Sequence, residues 1–335
     1  MYKLLTLFCG CGGLDLGFVG GFDYLGKHYN PNDVSIVYAS DINEPACKTY
    51  NANFVHKCVC KDICDEIPEE LPDCDIVIGG FPCQDFSLAG NRKGFAADRG
   101  VLYKQMMRIV KQKQPKIFVA ENVEGITIKI DDYVPIDIIT NDFKSIGYKV
   151  KYKLLNAADF GVPEIRKRVI IIGVRNDIDK EYEYPKSTVQ KWVTVKEGID
   201  DLWPLLGTGK VPNHSIKDYS KAKFYPGKHG QGNRLLEADK PSCTIRAEHH
   251  GNIEGHYRTL DEEHREDVSN WRRLSVRECA RIQSFPDSFV FPVGASSAYR
   301  QIGNAVAPVF AWNIAKSIVD FLDSIKAEKG VDNDF

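Results

Sequence analysis

Long apolar runs, a strong charge imbalance and internal repeats are all missing from this 335-residue sequence. No stretch of about 18 consecutive apolar residues occurs, so no membrane span is predicted. The first residues do not predict a signal peptide, because glycines and Asp15 interrupt the apolar stretch. A formal net charge of −2 argues against an unselective nucleic-acid coat but is compatible with a local basic face.

Paired Cys-x-x-Cys knuckles are also missing, although the chain has ten cysteines. Eight of the ten lie in the first quarter of the sequence, a layout unlike that of a disulfide-stapled secreted domain. Cys58, Cys60 and Cys64 are compatible with a metal site, but their spacing differs from that of common zinc sites and no histidine follows closely. We interpret these cysteines as small buried thiols in a reducing cytosol and predict no metal site.

Short β-branched and apolar runs alternate with helix-like segments in the first half of the chain. The predicted strands cover residues 3–8, 34–40, 74–78, 116–123 and 168–174. This alternation predicts an α/β fold with a doubly wound parallel sheet. Ligands bind at the carboxyl ends of the strands in such sheets, so the glycine turn at 10–13, Asp41, Cys83 and Glu121 are expected at one edge.

The sequence pattern changes after about residue 184. Between residues 205 and 260, nine Lys and Arg oppose five Asp and Glu, a local balance of +4. This asymmetry predicts a second, smaller, irregular domain that faces a polyanion, with a solvated loop-rich domain as the alternative. We expect residues 1–184 and 293–335 to form a catalytic and cofactor-binding domain, and residues 185–292 to form a recognition domain.

Two helices are predicted near the end of the chain. Ser275, followed three residues later by Glu278, has the spacing of a capping box at a helix N-terminus. The apolar spacing of residues 311–326 predicts a C-terminal helix that packs on a core.

The predicted strand ends carry residues suited to an adenosine-containing cofactor. The glycine turn at 10–13 allows a ligand to approach the backbone closely, but it lacks the third glycine of the dinucleotide fingerprint. Asp41 can accept hydrogen bonds from a ribose diol, and Asp62 can accept one from an adenine amino group. Ordinary turn formation is the alternative for each of these residues.

A second set of residues predicts nucleophilic chemistry. Cys83 follows a glycine-rich strand end and Pro82, and its thiol needs local positive charge or backbone donors to ionise. Glu121 follows a further strand and can protonate an electron-poor ring nitrogen. Arg166 and Arg168 lie on the same side of an extended segment and can clamp a phosphate or base oxygen. The alternative interpretation of Cys83 is an inert buried thiol, and that of the two arginines is a pair of surface salt bridges.

These motifs resemble, in the same order, those of the DNA (cytosine-5)-methyltransferases of bacterial restriction–modification systems. The resemblance spans residues 4–318 and depends on six segments: 8–13, 79–84, 121–123, 163–168, 272–286 and 301–306. The variable target-recognition region of that family would fall at 185–271. Glu164 stands where the family usually has glutamine, and no role is assigned to it.

The resemblance implies that S-adenosylmethionine donates a methyl group to C5 of a flipped cytosine in a specific duplex sequence, through a covalent Cys83–C6 intermediate. It implies catalytic roles for Cys83, Glu121, Arg166 and Arg168. The implied cofactor contacts are Phe8, Gly10, Gly12, Gly13, Leu14, Asp41, Ile42, Asp62, Ile63, Pro82, Leu102, Asn304, Ala305 and Val306. The implied DNA contacts are Gln84, Ser87, Thr244, Ile245, Arg246, His249 and Asn252.

Three other functions are compatible with parts of the sequence. The same family has a branch that methylates cytosine in tRNA, and the 185–271 region would distinguish the two substrates. A nicotinamide oxidoreductase would need the third glycine, and a non-catalytic DNA-binding protein would not need both Cys83 and Glu121. We expect a monomeric bacterial enzyme in the cytoplasm that acts on double-stranded DNA, away from membranes. It would protect that DNA from a cognate endonuclease encoded nearby, which it does not bind.

Overall fold

A computed structural model describes residues 1–82, 102–130, 132–221, 224, 234–247 and 256–331. Among these residues the strands are β1 (Tyr2–Leu7), β2 (Phe22–Tyr24), β3 (Lys27–Tyr29), β4 (Val34–Asp41), β5 (Val59–Cys60), β6 (Ile76–Gly79), β7 (Ile117–Val123), β8 (Tyr148–Asn156), β9 (Lys167–Arg175), β10 (Arg234–Leu235), β11 (His256–Arg258) and β12 (Arg272–Arg273). Seven of them form the central sheet in the order β5-β4-β1-β6-β7-β9-β8. Five neighbouring strands, from β5 to β7, run parallel. Strand β9 is antiparallel to both of its neighbours, β7 and β8.

Helices cover both faces of this sheet. The described helices are α1 (Gly13–Val19), α2 (Glu44–Asn53), α3 (Leu102–Lys113), α4 (Pro135–Ser145), α5 (Val195–Ile199), α6 (Val276–Ile282), α7 (Ala295–Asn304) and α8 (Pro308–Val331). Successive residues of a strand point to opposite faces, so Leu4 of β1 packs with α1 and α8 while Leu5 packs with α3 and α4. The predicted α/β fold is therefore confirmed, with one reversed strand near an edge.

Some elements follow from local sequence and others do not. The capping box is confirmed: the Ser275 hydroxyl accepts from the Glu278 N–H, and the Glu278 carboxylate accepts from the Ser275 N–H. The hairpin β2–β3 and the edge strand β8 were not predicted. Every second residue of β8 from Lys149 to Lys153 is lysine, and most of the strand is exposed, so it lacks the apolar pattern that marks a buried strand.

The C-terminal helix α8 is the central packing element on one face of the sheet. The segment Ala295–Glu328 is long and apolar enough to cross a membrane, but 78% of its most apolar window is buried inside the protein. Gly17 of α1 lies against α8 so closely that a Cβ there would be 2.3 Å from the Ala311 Cβ and 2.6 Å from the Pro308 carbonyl oxygen. This contact fixes the glycine turn relative to the C-terminal part of the chain.

Replacing Gly17 tests this packing. Although alanine favours a helix, Gly17→Ala should lower the free energy of unfolding by about 1–3 kcal/mol, because the added methyl group meets backbone that cannot move away. Urea unfolding would measure the change. Gly294→Ala is the matched control, since a Cβ at Gly294 meets nothing within 4 Å. Equal stability of the two variants would contradict the close contact.

Candidate active site

Glu121 and Arg168 form an ion pair at the edge of the sheet where the parallel strands have their carboxyl ends. Glu121 is near the end of β7 and Arg168 near the start of β9, where Arg168 is paired in register with Val123. The Arg168 Nε is 2.9 Å from the Glu121 Oε1, and both side chains are almost fully buried. The second carboxylate oxygen, Oε2, faces Gly80, where an added Cβ would lie 3.1 Å away. The carboxylate is thus held between the arginine and the backbone that leads toward Cys83.

The predicted nucleophile Cys83 lies outside the described residues, and the chain is described up to Pro82. The segment before it is well fixed: the Asn122 side-chain amide donates to the Phe81 carbonyl at 3.1 Å, and Phe81 is buried. Asn122 directly follows Glu121. One dipeptide of β7 therefore supplies both the carboxylate and the group that anchors the approach to Cys83.

Arg166 does not join Arg168 at this edge, which corrects its expected role as a clamp on a base or phosphate oxygen. Its side chain is 1% exposed. It donates to the Ile245 carbonyl at 3.0 Å, the Gly303 carbonyl at 2.8 Å and the Ala305 carbonyl at 2.9 Å. Because protein carbonyls take these bonds, the guanidinium holds three segments together instead of facing a ligand. Only Arg168 is placed beside Glu121.

Glu164 occupies a buried position in the same network. One carboxylate oxygen accepts from the Ile245 N–H and is 3.6 Å from the Arg166 Nη1. The other oxygen, Oε2, is buried with no hydrogen-bond partner. No role is predicted for this residue from the motifs, and the structure places it at the junction of the 163–166 segment with the 242–245 loop. Burial raises the pKa of Glu164 to about 7, although the Arg166 charge opposes the rise.

The glycine turn and Asp41 form one hydrogen-bonded unit. The Asp41 Oδ2 accepts from the Gly10 N–H and its Oδ1 accepts from the Asn43 N–H, both at 2.8 Å. Gly10 and Gly12 have φ angles of 56° and 92°, which glycine adopts without strain. Within the described part of the chain, a Cβ on Gly10 would meet nothing within 4 Å, whereas one on Gly12 would be 2.4 Å from the Phe54 ring. Open space therefore lies over Gly10 beside the Asp41 carboxylate.

Predicted cofactor residues from neighbouring strands surround this unit. Phe8, Ile63 and Leu102 belong to one hydrophobic cluster on the same face of the sheet. Ile42 is 67% exposed next to Asp41. The Asp62 carboxylate accepts from the Cys64 N–H at 2.9 Å and caps a short turn. The structure thus brings apolar side chains and two carboxylates to the carboxyl edge of adjacent strands.

The segment that ends α7 closes the turn from the other side. A Cβ on Gly13 would be 2.4 Å from the Val306 carbonyl and 3.1 Å from the Ala305 Cβ. Leu14, Ala305 and Val306 are buried, while Asn304 is exposed. The far end of the chain therefore returns to the first turn, which agrees with the resemblance that places residues of both segments among the implied cofactor contacts.

Asp15 is a buried polar residue at this turn that the sequence analysis did not select. Its carboxylate accepts from the Tyr50 hydroxyl at 3.0 Å and from the Thr6 hydroxyl at 3.3 Å. Burial raises its pKa to about 7, and these hydrogen bonds oppose the rise. The signal in the sequence that could have identified Asp15 is that it is a lone aspartate inside the apolar run that follows the glycines. Asp15 joins α1 to β1 and α2 directly under the turn.

The predicted DNA contacts divide into three groups. Gln84, Ser87, His249 and Asn252 lie outside the described residues. Ile245 is 0% exposed, which corrects its expected DNA contact, because the side chain packs in the core between α5, α6 and α7. The Thr244 hydroxyl donates to the Ile165 carbonyl at 2.6 Å. Arg246 lies with its backbone against Gly303, where a Cβ would be 2.2 Å from the Arg246 carbonyl carbon.

Comparison with known proteins identifies the family of this chain. The family model described as C-5 cytosine-specific DNA methylase matches residues 2–320. The chain belongs to the C-5 cytosine-specific DNA methylase family. It is a DNA cytosine-5 methyltransferase, which confirms the expected activity and favours DNA over the tRNA alternative.

Individual relatives match along nearly the whole chain. The chain is 38% identical to the Type II methyltransferase M.BspRI of Lysinibacillus sphaericus, over 96% of this chain and 82% of the relative. It is 36% identical to M.FnuDI of Fusobacterium nucleatum, with 98% of both chains covered. A solved DNA modification methyltransferase from an E. coli prophage shares the fold, with a TM-score of 0.71, 24% identity and coverage of 96% of this chain and 100% of the other.

Glu164→Gln tests the buried carboxylate. In the unfolded chain this carboxyl has the ordinary value of 4.5, so between that pH and about 7 the folded protein holds a proton that the unfolded chain has lost. Its contribution to stability therefore falls as pH rises through this window. The stability of the glutamine variant relative to the parent should rise by about 1–3 kcal/mol between pH 5 and pH 8.

Thermal or urea unfolding at several pH values would measure this difference. Glu263→Gln is the matched control. The Glu263 side chain is exposed, so this variant removes a carboxylate charge that is not buried. A stability difference for Glu164→Gln that stays constant from about pH 5 to about pH 8 would show that the residue does not titrate in that window.

Proposed function

We propose that the protein uses S-adenosylmethionine to methylate C5 of a flipped cytosine within a specific duplex DNA sequence, with Cys83 as the nucleophile. The observation that carries this proposal is the Glu121–Arg168 ion pair, whose free carboxylate oxygen faces Gly80. A flipped base held against this pair would lie beside the segment that continues into Cys83.

The residues around the glycine turn fit S-adenosylmethionine. The space over Gly10 accepts a ligand against the backbone, and each Asp41 oxygen accepts a single backbone hydrogen bond, which leaves a lone pair for a ribose hydroxyl. Ile42 offers an exposed apolar face to the adenine, and Asp62 can accept from its amino group. The amino-acid tail would lie along the turn, near Pro82 and Asn304. When bound, the cofactor supplies an electrophilic methyl group on its sulfonium.

Cys83 and Glu121 make the target carbon reactive. Cytosine C5 is a poor nucleophile until the aromatic ring is interrupted. The Cys83 thiolate adds to C6 while Glu121 donates a hydrogen bond or proton to N3, so electron density collects at C5. Loss of the C5 proton and release of Cys83 later restore the ring. The Glu121 Oε2, which faces Gly80, is the oxygen placed for N3.

Arg168 and Arg166 take different roles in this mechanism. Arg168 forms the ion pair with Glu121 and would bind the carbonyl oxygen of the same base, which would stabilise negative charge on the ring. Arg166 positions the recognition loop and the 303–305 segment through buried hydrogen bonds. The base must leave the duplex to reach Glu121, at a cost of a few kcal/mol.

The recognition region supplies the DNA contacts. We propose that residues 185–292 form the recognition domain and the remainder the catalytic domain. The +4 balance of residues 205–260 supports contact with phosphates, which would make DNA binding dependent on salt. Arg246, His249 and Asn252 remain the proposed base-reading residues. The Type II names of the relatives support a role in protecting cytoplasmic host DNA from a partner endonuclease, by an enzyme that works as a monomer.

The covalent step can be trapped with 5-fluorocytosine at the target position. Fluorine replaces the proton whose loss releases Cys83, so methylated duplex should remain bonded to the protein through denaturing electrophoresis. The adduct should need S-adenosylmethionine and should be absent for Cys83→Ser, because an alcohol forms almost no anion at neutral pH. Bisulfite sequencing of DNA from expressing cells would first give the target sequence.

Two controls accompany the trapping experiment. Cys74→Ser should still form the adduct, since Cys74 lies just before the amino-terminal end of β6. Transfer to the unmodified duplex without any adduct on the fluorinated duplex would contradict Cys83 as nucleophile. Transfer to tRNA in preference to duplex DNA would contradict the proposed substrate.

Asp41→Ala should impair cofactor use selectively. Loss of a charged hydrogen-bond acceptor should raise the KM for S-adenosylmethionine by about 10- to 100-fold, with duplex affinity changed little. Initial-rate kinetics and a DNA-binding titration would separate the two effects. Asp65→Ala is the matched control, because Asp65 is exposed in the neighbouring turn. Equal loss of cofactor and DNA affinity in Asp41→Ala would indicate a general folding defect instead.

A further inference from the structure

A group of thiols that the proposed reaction does not use lies beneath the glycine turn. The Cys9 Sγ is 3.3 Å from the Cys58 Sγ, which is 3.3 Å from the Cys47 Sγ. All three cysteines are buried. The Cys47 Sγ in turn donates to the main-chain carbonyl of Asp41 at 3.4 Å. The thiols therefore contact both parts of the proposed ribose site: Cys9 contacts Gly10 of the glycine turn, and Cys47 contacts Asp41.

A fourth cysteine connects this group to solvent. Cys60 is exposed, is paired in register with Asp41 between β4 and β5, and has its Sγ 3.7 Å from the Ile42 carbonyl. We name Cys60, Cys47, Cys58 and Cys9, in this order from the surface inward, the thiol chain. Among the described residues no cluster of Cys, His, Asp or Glu is suited to a metal ion, so thiol–disulfide chemistry is the reaction that this arrangement favours.

We propose that the thiol chain is a modification site for low-molecular-weight disulfides, and that its end product is a Cys9–Cys58 disulfide that weakens cofactor binding. The effect on binding rests on the proposed S-adenosylmethionine site. The formation of the disulfide does not, and it can be measured separately.

Each step exchanges one disulfide for another. The Cys60 thiol attacks the external disulfide and releases one small thiol, and Cys47 then attacks the Cys60 sulfur and releases the second. Cys58 next attacks the Cys47 sulfur and frees the Cys60 thiol, and Cys9 attacks the Cys58 sulfur and frees the Cys47 thiol. Overall, the external disulfide is reduced to two thiols, while Cys9 and Cys58 lose two electrons and two protons.

Burial decides where this reaction begins and how fast it proceeds. Burial raises the pKa of the Cys9 thiol to about 12, and the hydrogen bond with Cys58 raises the pKa of Cys47. The inner thiols are therefore protonated at neutral pH and react slowly, since the thiolate is the attacking species. Cys60 is the entry point because solvent reaches it, and we expect the complete exchange to take minutes to hours.

Closure of the inner disulfide would disturb the cofactor site directly. A disulfide bond is about 2.0 Å long, so the two sulfurs must approach by more than an ångström from their separation of 3.3 Å. Cys9 directly precedes Gly10, whose N–H is bonded to Asp41. A movement of Cys9 would therefore displace Gly10 and Asp41, the residues proposed to hold the amino-acid tail and the ribose.

The test uses full-length protein carrying Cys83→Ser, which removes the proposed nucleophile from the reaction with oxidant. This parent is compared with the same protein carrying Cys58→Ser, Cys47→Ser or Cys74→Ser, each incubated with oxidised glutathione. Non-reducing peptide mass mapping identifies the disulfide, and calorimetric titration measures the Kd for S-adenosylmethionine before oxidation, after it and after dithiothreitol.

The parent should gain a mapped Cys9–Cys58 disulfide and lose about tenfold in cofactor affinity, and dithiothreitol should restore the affinity. Cys74→Ser should behave as the parent, because Cys74 contributes no sulfur to the thiol chain. Cys58→Ser should keep its affinity on oxidation, and Cys47→Ser should form the inner disulfide more slowly because the relay is broken.

Two results would overturn this inference while leaving the proposed function intact. Reduced parent could bind S-adenosylmethionine and carry glutathione only on Cys60 after oxidation, with no inner disulfide. Alternatively, protein with a mapped Cys9–Cys58 disulfide could bind the cofactor as tightly as reduced protein does. Failure of the reduced parent to bind S-adenosylmethionine would instead contradict the proposed cofactor itself, whatever disulfide is mapped.

Discussion

The buried guanidinium of Arg166 is the interaction on which the arrangement of the active site depends. It joins the entrance of β9, the loop at Ile245 and the segment that ends α7 through hydrogen bonds to three carbonyls. A buried charge is costly unless it is paired and hydrogen-bonded, so both segments that supply the carbonyls are needed to stabilise it. The same segments carry Arg168, the 242–245 loop and the residues that we propose as a wall of the cofactor site.

Two acid–base pairs stand side by side at this junction with different surroundings. Glu121 and Arg168 lie at the edge of the sheet with a carboxylate oxygen available to a ligand. Glu164 and Arg166 are sealed inside, where the second oxygen of Glu164 has no partner. Arg166, just before β9, is buried, and Arg168, two residues later, pairs with Glu121, so structural support and the proposed chemistry lie within three positions of the chain.

The sequence predicted those features that depend on local patterns and on the order of motifs. Strand ends and the capping box at Ser275 belong to the first kind, because glycines, caps and short strands have local signatures. The return of Val306 to the first turn belongs to the second kind, because it depends on the family motif at residues 301–306. The burial of Arg166 and Ile245 could not be predicted, since it depends on which distant backbone groups meet there. The lysine-rich strand β8 was missed because an exposed edge strand has no apolar alternation.

The contact between Gly13 and the Val306 carbonyl has a consequence for synthesis on the ribosome. The first turn emerges long before the wall that completes it, because Val306 follows Gly13 only after most of the sequence in between has been translated. Contacts of such large sequence separation form late and slow the folding of a domain. The nascent protein therefore lacks a complete proposed cofactor site until residues 305–306 have emerged, and its first apolar helix α1 lacks the surface of α8 for at least that time.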